Sequence, residues 1–404
     1  MTKIGPNNSH MNPDSIVAQI VTGTRAIMQA EVGNIPLHIP VFGKNAASYV
    51  NECITTGWVS SAGKFVDRFE VDLAKFTGAK RAVAVSNGTS ALHIALKLCG
   101  VQPGDEVLLP SLTFVATANA VSYCHATPHF VDVESDTLGI DANSIRDYLN
   151  EIAEVKDGKC VNRKTGQTIR CMIGMHAFGH PFDLEKVLKL CEDFSLDLVE
   201  DAAESIGSFY KDKHTGLFGR VGILSFNGNK TITTGGGGAI VTDDQSLADL
   251  AKHLTTTGKQ PHAYRYFHDM VAYNYGMPNL NAALGCSQLE DLPEILESKR
   301  EIATGYLNTF ADNPDFEILA EPENCQSNYW LNALILSEEN SKYHDEVIQQ
   351  LNLSGIIVRP IWEPLHTLPM YHDAPRMSLA VTENLAKRII NLPSTPKLLA
   401  SLSK

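Results

Sequence analysis

A chain of 404 residues is long for one hydrophobic core, so a large domain with a smaller companion is the expected organisation. Its net charge of −13 excludes a basic stripe able to neutralise the phosphates of a duplex, and no nucleic-acid partner is expected, although a small anionic ligand is compatible with it. Eight scattered cysteines, with no CxxC pair and no His/Cys cluster, read as reduced thiols without a metal, and the lack of a leader or a membrane-length apolar run points to a soluble cytoplasmic protein.

In chain order, residues 1–45 read as a polar N-terminal arm. Short β-branched runs then alternate with amphipathic segments. Strands are predicted at 81–85, 106–109, 128–133, 170–176 and 196–199, and helices at 89–98, 114–123, 141–152 and 183–194. This alternation predicts an α/β large domain over 46–290, mostly parallel, with helices on both faces. The polar stretch 156–166 reads as an exposed hairpin or loop. Residues 281–310 carry apolar residues at helical spacing and read as one long or kinked helix joining the two domains. Beyond it, a smaller α+β domain over 291–404 is predicted, with strands at 329–336 and 356–358 and helices at 344–353 and 382–390.

Four segments of the large domain carry candidate chemistry. Ser225-Phe226-Asn227-Gly228-Asn229-Lys230 places one lysine among small polar residues ahead of a glycine run, a setting in which a partly buried amine forms a Schiff base. The glycine run is not followed by Gly-Lys-Ser/Thr, which excludes a P-loop. Ser86-Asn87-Gly88-Thr89-Ser90 lies between a strand and a helix, where free amides either bind an anion or need only an ordinary N-cap. Val199-Glu200-Asp201-Ala202-Ala203-Glu204 puts carboxylates just past an apolar strand, at the end where a parallel sheet opens its ligand crevice. Asp201 there suits a protonated ring nitrogen or a helix cap. Phe114, at another strand-to-helix junction, suits either stacking on a flat ring or the core.

The stretches GWVSSAGKFVDRFE, AVSNGTSALHIAL, GDEVLLPSLTFVATANAV, VEDAAESIGS, FGRVGILSFNGNKTITTGGGGAIVTDD, YNYGMPNLNAALGCSQLE and VRPIWEPLH together resemble the DegT/DnrJ/StrS sugar aminotransferases, which depend on pyridoxal 5'-phosphate. The resemblance covers nearly the whole chain and implies the aspartate-aminotransferase fold (fold type I). It implies that Lys230 forms the internal aldimine and then shuttles the proton, that Asp201 pairs with the pyridine nitrogen, and that Phe114 stacks on the ring. Gly88, Thr89 and Ser225 would bind the phosphate. Glu204 stands where many relatives have glutamine or histidine near the phenolic oxygen. Asn274 matches an asparagine that reaches the neighbouring subunit's cofactor, which implies a homodimer with shared sites. Relatives commonly carry a basic residue at the position of Gly276.

Within the family, the likeness is to enzymes acting on nucleotide-linked 4-keto-6-deoxy sugars in legionaminic acid, bacillosamine and related pathways. L-Glutamate is the implied donor and a 4-amino sugar nucleotide the implied product. Trp58, Ser61, Arg359 and His366 are candidate substrate contacts, with packing or surface pairing as their alternatives. A 3-keto sugar substrate, a dehydratase-like elimination and a non-catalytic regulator are the competing functions. The presence of Lys230 argues against elimination, and the set Asp201, Ser225 and Lys230 argues against the regulator.

Overall fold

The computed structural model describes residues 12–397. Seven strands form the path of the central sheet, in the order 81–85, 238–242, 221–225, 197–201, 168–175, 106–110, 127–131. The last five of that order run parallel. Strand 238–242 is antiparallel to both its neighbours. Three of the seven (106–110, 221–225 and 238–242) are buried along their whole length and three more (81–85, 127–131 and 197–201) apart from their first residue, as strands covered by helices on both faces must be. The predicted mostly parallel sheet between helical layers is thus the one observed, with apolar clusters on either side of it.

The 156–166 stretch forms a hairpin of strands 153–156 and 159–162, whose second strand pairs with the start of strand 168–175. Glu106 anchors its return. The buried carboxylate accepts hydrogen bonds from Asn162 (2.9 Å) and Thr165 (2.6 Å), and it pairs with His129 at 2.8 Å.

The predicted joining helix is a single helix over 279–309 with Pro293 inside it. Beyond it, strands 316–318, 332–336, 389–392 and 359–360 make an antiparallel sheet. Two expectations fail here. The helix predicted over 382–390 stops at Leu385, and Ile389–Leu392 becomes a strand of this sheet because its apolar side chains are buried between two partners. The strand predicted at 356–358 lies instead at Arg359–Pro360, with Ile356 making one bridge to Ile35.

The polar arm also needs correction for its described part. Pro13–Met28 is a helix, started by Pro13 and by Asn12, whose side chain accepts the amide of Asp14. Ile16, Val17 and Ile20 lie on one stripe and are buried against Ile302, Tyr306, Leu334, Val347 and Leu351. Residues 1–11 lie outside the described chain. Among the described residues, no helix is long and apolar enough to cross a membrane.

Candidate functional site

The loops that bear chemistry leave the carboxyl ends of the parallel strands, where the crevice of such a sheet opens. Asp201 ends strand 197–201 and is almost wholly buried. Its carboxylate accepts the Thr117 hydroxyl at 2.8 Å and the Ala203 amide at 3.3 Å. Burial pushes its pKa up, against the pull of these bonds and of the nearby Lys230 charge. Thr117 lies one helical turn after Phe114, and the Phe114 carbonyl accepts the Thr117 amide at 3.1 Å. One short helix, Ala116–Tyr123, therefore supports Asp201, and Phe114 in the turn that leads into it is 53% exposed. An apolar ring left that open is suited to covering a flat ligand.

Lys230 follows strand 221–225, and its ammonium lies 2.9 Å from Glu204 and 3.9 Å from the centre of the Trp330 ring. The other oxygen of Glu204 accepts the Phe178 amide at 2.9 Å. Burial raises the pKa of Glu204, and the charge of Lys230 opposes that rise. The site thus holds one amine between two buried carboxyl groups under an indole.

Asn87 caps helix 88–98 by accepting the Ser90 amide at 2.7 Å, so the amides of Gly88 and Thr89 have no carbonyl partner within the helix. Ser225 faces this turn. A Cβ on Gly88 would lie 3.0 Å from the Ser225 Cβ, and one on Gly238 would lie 2.6 Å from the Asn87 backbone. Both glycines are required for two segments far apart in sequence to close into one cradle. Gly238→Ala should therefore displace the 86–89 turn at a cost of about 1–3 kcal/mol. Equilibrium titration with a phosphate-bearing ligand should show weaker binding than in the native protein.

The remaining sequence candidates divide. Trp58 and Ser61 are exposed on a loop tied to the joining helix, where Asn279 donates to the Trp58 carbonyl at 2.7 Å and its own amide donates to Ser60 at 2.6 Å. Gly276 is packed against Ser61, with a would-be Cβ 3.3 Å from that residue, which explains why no larger side chain stands there. Asn274 is exposed, and the adjoining Tyr275 carbonyl accepts the Ser86 amide at 2.7 Å. The guanidinium of Arg359 donates to the Val358 carbonyl, and His366 sits between Ser111 (2.8 Å) and Glu383 (3.3 Å). Neither touches the Lys230 cluster.

Sequence reasoning missed Thr117, Phe178, Asn328 and Trp330. Asn328 is buried and donates to the carbonyls of Glu204 and Ile206, both at 2.8 Å, and to Thr231 at 3.2 Å. Trp330 donates through its indole nitrogen to the Asn229 carbonyl at 2.6 Å. The segment 327–330 so locks the acidic loop to the lysine loop. Only Thr117 had a local signal, at helical spacing from Phe114.

A GDP-perosamine synthase of Vibrio cholerae is 38% identical over 365 residues, covering 90% of this chain and 95% of its own. One from Escherichia coli O157:H7 is 37% identical over 366 residues, covering 90% and 94%. Among solved structures, the aminotransferase TlmJ of Streptoalloteichus hindustanus superposes with a TM-score of 0.80 at 28% identity, covering 90% of this chain and 94% of its own. Helicobacter pylori PseC, an aminotransferase involved in the biosynthesis of pseudoaminic acid, gives 0.80 at 25%, covering 89% and 93%. With residues 40–401 matching the family itself, the chain belongs to the DegT/DnrJ/EryC1/StrS aminotransferases, enzymes that depend on pyridoxal 5'-phosphate.

Proposed function

We propose that this enzyme transfers the amino group of L-glutamate to C4 of a nucleotide-linked 4-keto-6-deoxy sugar used in surface-polysaccharide synthesis. The observation that carries the reading is the Lys230 amine held 2.9 Å from Glu204 on the same crevice as buried Asp201. The names of the GDP-perosamine synthases put GDP first among the candidate nucleotides.

The residues fit the cofactor. The Gly88–Thr89 turn and Ser225 form a cradle that a Cβ would fill, of the kind a phosphate occupies. Asp201 suits the ring nitrogen, Phe114 the ring face and Lys230 the aldehyde carbon. When bound, the cofactor supplies an electron sink for the carbon that loses its proton. Asp201, as a carboxylate, would keep the proton on the ring nitrogen. Thr117 and Ala203 fix the direction of its oxygens. Lys230 would take the proton from the substrate carbon at Nζ and return it two atoms along, to the carbon beyond the intervening nitrogen. Glu204 steadies that amine between transfers, and its second oxygen stays anchored on the Phe178 amide.

A homodimer is part of the same proposal, with Asn274 reaching the neighbouring site and Trp58 and Ser61 at the mouth. Supporting it, Tyr264, Tyr266, Phe267 and Val271 are 78%, 82%, 62% and 92% exposed on the excursion that leads to Asn274. Such an apolar patch suits burial against a second copy. A cytoplasmic location accords with the nucleotide-sugar substrate.

The test is incubation of the holoenzyme with L-glutamate and a panel of 4-keto-6-deoxy sugar nucleotides. Formation of 2-oxoglutarate together with a 4-amino sugar nucleotide is expected, fastest with the GDP sugar. No 2-oxoglutarate with any 4-keto substrate would overturn the reading. Sedimentation of the same sample should give twice the mass of the chain.

A further inference from the structure

Lys299 lies in the second half of helix 279–309 with none of its surface exposed, and no carboxylate pairs with it among the described residues. Its Nζ donates to the Trp330 carbonyl (3.0 Å), the Ser394 carbonyl (2.9 Å) and the Ser394 hydroxyl (2.8 Å). That hydroxyl spends its own hydrogen on the Tyr329 carbonyl at 3.1 Å, so it can only accept from Lys299. With three acceptors around it, the amine can place every hydrogen it carries. Burial pulls the Lys299 pKa well below that of a free lysine. A buried amine without a counter-ion is a costly way to hold a chain segment in place.

The segment it holds is strained. Tyr329 has a φ of 46°, in the left-handed region that costs a residue with a Cβ roughly 1–2 kcal/mol. Such a conformation persists only where the surroundings over-determine it. Here the Ser327 hydroxyl accepts the Tyr329 amide at 3.1 Å, Asn328 accepts the Trp330 amide at 2.9 Å, and Lys299 takes the Trp330 carbonyl. The product of this arrangement is the Trp330 indole, seated 3.9 Å above the Lys230 amine.

We propose that Lys299 is a positioning residue for the reaction at Lys230: its buried amine fixes the strained Tyr329–Trp330 peptide and thereby seats the indole over the reacting amine. This rests on Lys230 being that amine. The aromatic face favours positive charge on the nitrogen beneath it and limits where that nitrogen can swing. Loss of the seat therefore acts on the chemical step more than on the binding of either substrate.

The experiment uses the holoenzyme with Trp58 and Trp362 changed to Phe, so that Trp330 is the sole indole, with and without Lys299→Met, which keeps the apolar stem. Borohydride fixation followed by peptide mass spectrometry should mark Lys230 in both proteins. In Lys299→Met the quenching of Trp330 emission on cofactor loading should weaken, and kcat should fall about tenfold to a hundredfold with little change in KM for glutamate. In the native background Trp330→Phe should lose a similar factor, and adding Lys299→Met to it should cost no more. Unchanged kcat, or losses that multiply in the double variant, would overturn the proposal. Absence of label on Lys230 would overturn the reading beneath it instead. If Lys299→Met does not fold, Ser394→Ala, which removes one hydrogen-bond partner from the amine, should change quenching and kcat in the same direction. No change in either would equally sink the idea.

Discussion

Lys230→Ala is expected to abolish turnover, by about a thousandfold or more, because in the proposed mechanism one side chain is both the covalent attachment point and the proton carrier. The variant should still bind the cofactor, since the Gly88–Thr89 turn, Ser225 and Asp201 do not depend on the amine. Borohydride should then leave no fixed label on the protein. Glu204 is almost fully buried and loses the cation that offsets its burial, so its carboxyl should take up a proton at higher pH than in the native enzyme. Infrared difference spectra between the two proteins would report that carboxyl. Full activity in Lys230→Ala would remove Lys230 from the chemistry altogether.

Asp201→Asn has the second largest expected effect, and it separates activity from stability. Asn keeps the shape of the side chain, and its amide can donate to the Thr117 hydroxyl, but it cannot hold a proton on a ring nitrogen. Loss of a charge-assisted hydrogen bond of about 1.5–3 kcal/mol predicts a fall in kcat of about tenfold to a hundredfold. The cofactor-free protein should move the other way. Asp201 has its folded pKa raised, so the stability its protonated form carries is complete below the unfolded value of about 3.8 and is lost as pH rises through the higher folded value. At neutral pH its ionised form therefore burdens the empty fold, and Asn relieves the burden. Calorimetry of the two cofactor-free proteins at pH 7 should show the variant melting at the higher temperature, while at pH 3.5 the difference should shrink. A lower melting temperature at pH 7 would mean that the Thr117 and Ala203 bonds outweigh desolvation at this carboxylate.

The parts of the site that were legible in the sequence are those whose geometry is local. Lys230 and Asp201 follow apolar strands, and Gly88–Thr89 opens a helix, so each could be placed at a strand end from its own neighbours. Trp330 could not. It reaches Lys230 across a hundred positions of chain through the packing of residues 327–330, and nothing in its flanking residues distinguishes it from a core tryptophan. Phe178 contributes a backbone amide, which no side-chain pattern can announce. In the fold, the alternation of strands and helices was readable because the central strands are continuously apolar. Ile389–Leu392 was misread because its apolar run also fits a helical face, and only its pairing with strand 332–336 decides the matter. Helix 13–28 was hidden by polar residues around a narrow apolar stripe.

The helix 279–309 is about 46 Å long at 1.5 Å per residue. Its first residue, Asn279, accepts the amides of Phe65 (2.9 Å) and Val66 (3.3 Å) and bonds the loop bearing Trp58, while Ile302 and Tyr306 are embedded in the C-terminal core. The joint between the two cores is thus a girder rather than a strap. Swinging one core away from the other would mean bending this helix, most readily at Pro293 where one backbone hydrogen bond is already absent, a motion still costlier than rotation about a loose connection. Traffic of amino donor and sugar nucleotide should then depend on the small loops at the rim, and the turnover of this enzyme should respond more to stiffening those loops than to cross-linking the two cores.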